Sequence, residues 1–168
     1  MNVKLMKAEE SDLEEIRQMQ VTAFSELLEK YQDYGTSPAS ESLDRIREKY
    51  VQPGSFYYFI TDRQTRVGVI RIVDRKDGSR KRISPLWIMP EYRNRGYAQS
   101  AIIEAERIHG PDNWCLDTIL QEKGNLHLYE KMGYHQTGRT EKINQRMDIV
   151  YFEKNCMERK KTSCMTFS

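Results

Sequence analysis

Three cysteines, three histidines and no long apolar run limit what this 168-residue chain can be. Cys115, Cys156 and Cys164 are odd in number and unrelated in spacing, which argues against a disulfide framework and for a reducing compartment. His109, His127 and His135 do not fall at metal-ligand spacing, so no metal is expected. No stretch approaches the roughly 18 apolar residues of a membrane span, and MNVKLMKAEESD at the start lacks the apolar core of a secretory leader. A cytoplasmic protein that does not engage a membrane is expected. The first strand is not followed by G-x-G-x-x-G, which disfavours a dinucleotide-binding domain.

What is present is a well-mixed 31% of charged residues with 38% apolar ones, the texture of a folded protein. One domain is expected over residues 1–154, followed by a flexible C-terminal tail over 155–168. The net charge of +2 conceals an asymmetry: residues 1–50 carry 11 acids and 7 bases, leaving 14 acids and 20 bases for the remainder. Arg75-Lys76 and Arg80-Lys81-Arg82 look basic enough for nucleic acid. They fall at a hairpin without a stacking motif or recognition helix, so no nucleic-acid partner is expected.

Val3 to Met6 reads as a strand, and Ser11-Asp12-Leu13-Glu14 has the form of a capping box. Leu13, Ile16, Met19, Ala23 and Leu27 then recur at helical steps, predicting a helix over 12–30 with a possible break near Val21. A loop from Tyr31 to Ser40 leads to a second helix, Glu41 to Tyr50. Strands follow at 55–61, 66–74 and 81–89, the last interrupted by Pro85, which cannot donate to a ladder and so predicts a bulge or an unpaired side. A helix from Gly96 to the Gly110-Pro111 stop, a strand at 114–120, a short helix from Gly124 to Met132 and a hairpin of 134–141 with 145–153 complete the order βααβββαβαββ. Residues 81–120 are long enough for a right-handed crossover, which makes the two strands it joins parallel neighbours in an otherwise antiparallel sheet.

The strand-to-helix turn of that crossover is Arg93-Asn94-Arg95-Gly96-Tyr97-Ala98. The first amides of a helix have no internal partners and carry the positive end of its dipole, so they favour an anion. Gly96 allows close backbone approach, Ala98 keeps the helix near the sheet, and Arg93 and Arg95 add charge. A diphosphate suits this turn. Alone, the same turn reads more readily as an N-cap flanked by two exposed arginines.

The turn is not alone. Ile88-Met89-Pro90 precedes it, and Leu128-Tyr129-Glu130-Lys131-Met132-Gly133-Tyr134 follows on the short helix. In these segments the chain resembles the GNAT superfamily of acetyl-CoA dependent N-acetyltransferases, by motif over residues 83–134 and by element order over 3–153. The resemblance implies a mixed α/β (α+β) fold with a mostly antiparallel sheet and one splayed parallel pair. It also implies acetyl-CoA as cosubstrate and an amine acceptor, either a small molecule or a peptide, acted on by a monomer or homodimer. A non-catalytic CoA-binding or sensing module on the same fold is the alternative.

By the same resemblance Trp87 and Ile88 pair with pantetheine, the amides of Asn94 to Ala98 hold the diphosphate, and Tyr129 protonates the departing thiolate. A phenol of pKa about 10 suits a thiolate of comparable basicity. The residue seven before the tyrosine, often asparagine in the family, is Glu122 here. Either Asn125, four before it, supplies the missing pantetheine contact or nothing does. The family covers its acceptor with the first two helices and their loop, which here bring Glu29, Tyr31, Asp33, Tyr34 and Glu41. Such a segment suits a cationic amine, or is simply a solvated loop.

Overall fold

The computed structural model describes residues 1–155. The tail expected over 155–168 lies, beyond Asn155, outside the described residues.

The aromatic and β-branched runs form seven strands: β1 (Val3–Lys7), β2 (Ser55–Asp62), β3 (Thr65–Val73), β4 (Lys81–Ile88), β5 (Trp114–Ile119), β6 (His135–Asn144) and β7 (Met147–Lys154). Four helices, α1 (Leu13–Tyr31), α2 (Leu43–Val51), α3 (Tyr97–His109) and α4 (Lys123–Lys131), give the order βααβββαβαββ that the sequence predicts. The strands form one sheet ordered β1-β2-β3-β4-β5-β7-β6, in which β4 and β5 alone among the described strands are parallel. The expected mixed, mostly antiparallel α/β architecture is therefore present. No helix among the described residues is long and apolar enough to cross a membrane.

The entry to α1 differs from the predicted capping box. A 3-10 turn over Glu10–Asp12 comes first, where the Asp12 carboxylate accepts a 2.8 Å bond from the Glu9 amide, and Glu14 turns instead to Arg17. The helix also runs unbroken through Val21. A single β-branched residue costs little, and Ile16, Gln20 and Ala23 bury one continuous face. Its C-terminus closes on Gln32 in the left-handed region, at φ 54°. Ser42 then caps α2 by accepting the Arg45 amide at 3.1 Å.

Two cores sandwich the sheet. Tyr57, Phe59, Val69 and Trp87 pack with Leu13, Ile16, Ala23 and Ile46 beneath α1 and α2. Tyr58, Ile60, Ile70 and Ile88 face the other way, against Ala101, Ile102 and Ala105 of α3 and Leu126 and Tyr129 of α4. Each fully buried aliphatic or aromatic side chain contributes about 1.5–3 kcal/mol relative to exposure. This double burial explains why β2 and β3 read as near-continuous apolar runs.

Opposite Arg71 the β3–β4 register jumps: Ile70 pairs with Leu86 and Ile72 with Ile83, so Ser84 and Pro85 form the bulge expected at the proline. On its other side β4 meets β5 at only two positions, Lys81 with Trp114 and Arg82 with Cys115. Beyond these the parallel strands separate. An ion pair from Arg82 to Asp117 spans the point where they part.

Candidate active site

The opening between β4 and β5 has a readable polarity. The Met89 amide donates to Val67 O at 2.8 Å, so by strand alternation Trp87 also directs its backbone toward β3, opposite Val69. Leu86 and Ile88 direct theirs toward the opening. Of the two residues expected there from the sequence, Ile88 has this orientation. Trp87 instead places its side chain under α1, edge-on to Phe24, with a buried indole N–H that has no hydrogen-bond partner among the described residues.

At the end of β4 a 3-10 turn, Pro90–Tyr92, leads into α3. Asn94 lies at φ 63° and Gly96 at φ 87°, so both curl the chain through the left-handed region before the helix. The first bond closing α3 runs from the Ser100 amide to Gly96 O at 3.0 Å, which leaves the amides of Tyr97 and Ala98 at the helix mouth without helical acceptors. Nothing lies within 4 Å of where a Gly96 Cβ would stand, so the turn is open on that side. Asn94, Arg95 and Gly96 are exposed.

The two arginines of this turn behave differently. Arg93 donates through Nε to Ile88 O at 3.0 Å and through a terminal nitrogen to Ala23 O at 2.9 Å, bracing the end of β4 against α1. Arg95 makes no such bonds among the described residues, its guanidinium 5.9 Å from the centre of the Tyr92 ring. The Tyr97 side chain is buried and donates to Asp62 at 2.6 Å, so this residue offers the turn its amide only.

Across the opening, Tyr129 on α4 is 8% exposed, packed against Tyr134 and Phe152. Burial, and then the Asp117 carboxylate, push its phenol above the ordinary range. Asp117 points to the opposite face of β5 from buried Leu116. Asn125, one turn earlier on α4, donates to Thr118 Oγ1 at 3.4 Å and so also lies over β5.

Glu122 takes up a different task from the asparagine usual at its position. It accepts from Tyr31 OH at 2.5 Å and from Lys30 Nζ at 3.0 Å, tying α1 to the end of β5. Burial acts to raise its carboxyl, and these two donors outweigh that and hold it below the usual range. Tyr31 is thus a buried structural contact. Asp33 is also engaged, accepting from Thr36 and shaping the turn. Tyr34 and Glu29 are exposed. Tyr34 and Glu41 line a cleft of about 420 Å³ between the α1–α2 connection and the Ser84–Pro85 bulge.

The sequence reading passes over three residues of this region, Asp117, Arg71 and Tyr57. The signal existed for two of them, since Asp117 is the single charge of β5 and Arg71 interrupts the apolar run of β3 from Val67 to Val73.

The family model described as the acetyltransferase (GNAT) family matches residues 14–134. Among curated protein sequences none matches. Among solved structures, the chain is similar to a spermidine N-acetyltransferase from Vibrio cholerae in complex with CoA and spermine, at 19% identity over 90% of this chain and 94% of that one, with TM-score 0.71. It is also similar to a paia N-acetyltransferase from Thermoplasma acidophilum in complex with coenzyme A, at 16% identity over 92% and 99%, TM-score 0.63. A third is an acetyltransferase from Thermus thermophilus, at 12% identity over 90% and 96%, TM-score 0.65. At these identities the likeness is one of fold.

Proposed function

This chain belongs to the GNAT acetyltransferase family, and from that premise we propose that it transfers an acetyl group from acetyl-CoA to an amine. The observation that carries this reading is the two-residue pairing of β4 with β5, which leaves one strand edge open directly before an anion-ready helix mouth. Acetyl-CoA, when bound, supplies an activated thioester for the amine to attack.

The residues present fit that cosubstrate. The amides from Asn94 to Ala98, with Arg95, would hold the diphosphate, and Gly96 leaves room for it. The backbone of Leu86 and the amide of Ile88, whose carbonyl already accepts from Arg93, would hold the pantetheine amides, with Asn125 adding a side-chain contact from α4. Arg93 contributes by fixing the position of β4 and its turn. The phenol of Tyr129 would serve as the donor to the thioester sulfur. Because that phenol is less acidic than an ordinary one, it stays protonated and acts chiefly as a hydrogen-bond donor to developing negative charge.

The test is acetyl-CoA dependent release of free thiol across a panel of amines, followed by Tyr129→Phe on the best acceptor. General acid catalysis is worth about 100 to 10,000-fold. A donor of raised pKa sits at the low end, so single-turnover rates should fall about 100-fold with acetyl-CoA affinity unchanged. Equal single-turnover rates would make Tyr129 a packing residue.

A further inference from the structure

The cleft beside the Ser84–Pro85 bulge holds more positive than negative charge. One carboxylate, Glu41, and two cations, Arg45 and Lys49, line it. Glu41 is already neutralised, by an ion pair with Lys49 and by a 2.8 Å bond from Gln20 Nε2. Among the described residues Arg45 has only Glu48 one turn along, in a pair whose side chains are 58% and 67% exposed, so that contact binds it weakly.

Behind the cleft wall lies a third cation. Arg71 is 5% exposed, and its three hydrogen bonds go to neutral oxygens: Ser55 Oγ at 2.9 Å, Gln52 Oε1 at 2.7 Å and Ser84 O at 3.2 Å. Burying a guanidinium whose hydrogen bonds all go to neutral acceptors is costly; the Glu41 carboxylate acts on Arg71 only from beyond that shell, and a further anion would relieve more of the cost. Stacked 5.7 Å from the Arg71 guanidinium is the ring of Tyr57, 1% exposed, whose hydroxyl has no hydrogen-bond partner among the described residues. A buried hydroxyl with no partner is rare in a packed interior and marks a place where a donor waits for an acceptor. Tyr57 pairs with Arg71 across β2 and β3, and Arg71 bonds to the carbonyl of Ser84 in the cleft wall, so the pair sits behind this same cleft.

The cleft also meets the reaction centre. Ser84 and Pro85 line it, and the next residue, Leu86, turns its backbone to the β4/β5 opening.

We propose that this cleft receives the carboxylate of the acceptor at Arg45, with the buried Tyr57–Arg71 pair behind its wall adding positive potential, and turns the acceptor's amine toward the opening. The acceptor is therefore an amino acid or a similar carboxylate-bearing amine. A polyamine is disfavoured here, because its several cations would meet Arg45, Lys49 and Arg71 while Glu41, the one carboxylate lining the cleft, is paired with Lys49. The cationic amine suited by the sequence of the loop thus gives way to a zwitterion once the pairing of Glu41 is known.

This inference rests on the acetyl-transfer reading, and the experiment separates the two. Calorimetry with CoA first establishes that the cosubstrate binds. Turnover is then compared for the common α-amino acids, their carboxamides, and putrescine and spermidine, each at fixed acetyl-CoA. The best amino acid should exceed its own carboxamide and both polyamines by at least about tenfold in kcat/KM, the discrimination of a charge-complementary site. Arg45→Glu should raise the KM for that amino acid by at least about tenfold and leave the KM for acetyl-CoA unchanged, because Arg45 is a surface residue remote from the diphosphate turn. A carboxamide or polyamine used as well as the amino acid overturns the inference and leaves acetyl transfer standing, as does CoA binding with no amino acid acetylated. Failure of CoA to bind overturns both.

Discussion

The carbonyl oxygen of Trp87 lies so close to Gly68 that a Cβ on the glycine would stand 2.2 Å from it. β3 is the neighbour that holds β4 beyond Arg82, so this close fit sets where the open strand edge lies. Gly68→Ala should push β4 away from β3 and lower stability by about 1–3 kcal/mol, the usual cost of overpacking a close contact. A urea titration measures the loss. CoA affinity should fall in the same variant, since the displaced edge carries Leu86 and Ile88.

Arg93 and Arg95 should separate cleanly. Arg93→Ala removes two hydrogen bonds from a charged donor and should cost about 2–4 kcal/mol of stability. Arg95→Ala should leave the urea midpoint unchanged and weaken CoA about tenfold or more at low salt, with the difference shrinking as salt is added. Identical behaviour of the two variants would contradict their separate assignments.

The pH dependence follows from the raised phenols. Tyr129 donates in its protonated form, and burial followed by the Asp117 charge moves its deprotonation to higher pH. The turnover rate should rise with pH as the acceptor amine loses its proton, and it should not decline through pH about 10, the ordinary phenol value. Stability follows the same sign. Tyr57, Tyr129 and Tyr134 all have folded values raised chiefly by burial, so their contribution is complete below the ordinary phenol value and is lost as pH climbs above it. The melting temperature should therefore be insensitive to these groups below pH about 10 and decline above it. A fall in turnover between pH 7 and 9 with an unchanged melting temperature would assign the donor role to another group.

Element order was legible because it rests on local signals: period-2 apolar runs, helical spacing on α1 and α3, and glycines or prolines at their ends. Gly96 was legible too, since a strand-to-helix turn with φ 87° needs glycine whatever surrounds it. Contacts between distant segments were not. The bond from Arg93 to Ala23 spans 70 residues, that from Tyr31 to Glu122 spans 91, and no spacing rule foretells either. The charge balance of the cleft beside the bulge is hidden from sequence for the same reason. Glu41 and Asp33 read as free acids until their partners Lys49, Gln20 and Thr36 are seen, and Arg71 with Tyr57 becomes a pair only through the β2–β3 register.

Calorimetric titration of CoA into the wild type and Gly96→Glu tests the account most directly. The variant places a carboxylate in the open space of the diphosphate turn, and like-charge contact costs several kcal/mol. Positive φ at this position adds strain, so circular dichroism must first show that the variant is folded. The account predicts stoichiometric binding by the wild type and affinity reduced at least about a hundredfold in the folded variant. Equal affinity in the two proteins, or no heat of binding with the wild type at millimolar CoA, would contradict it.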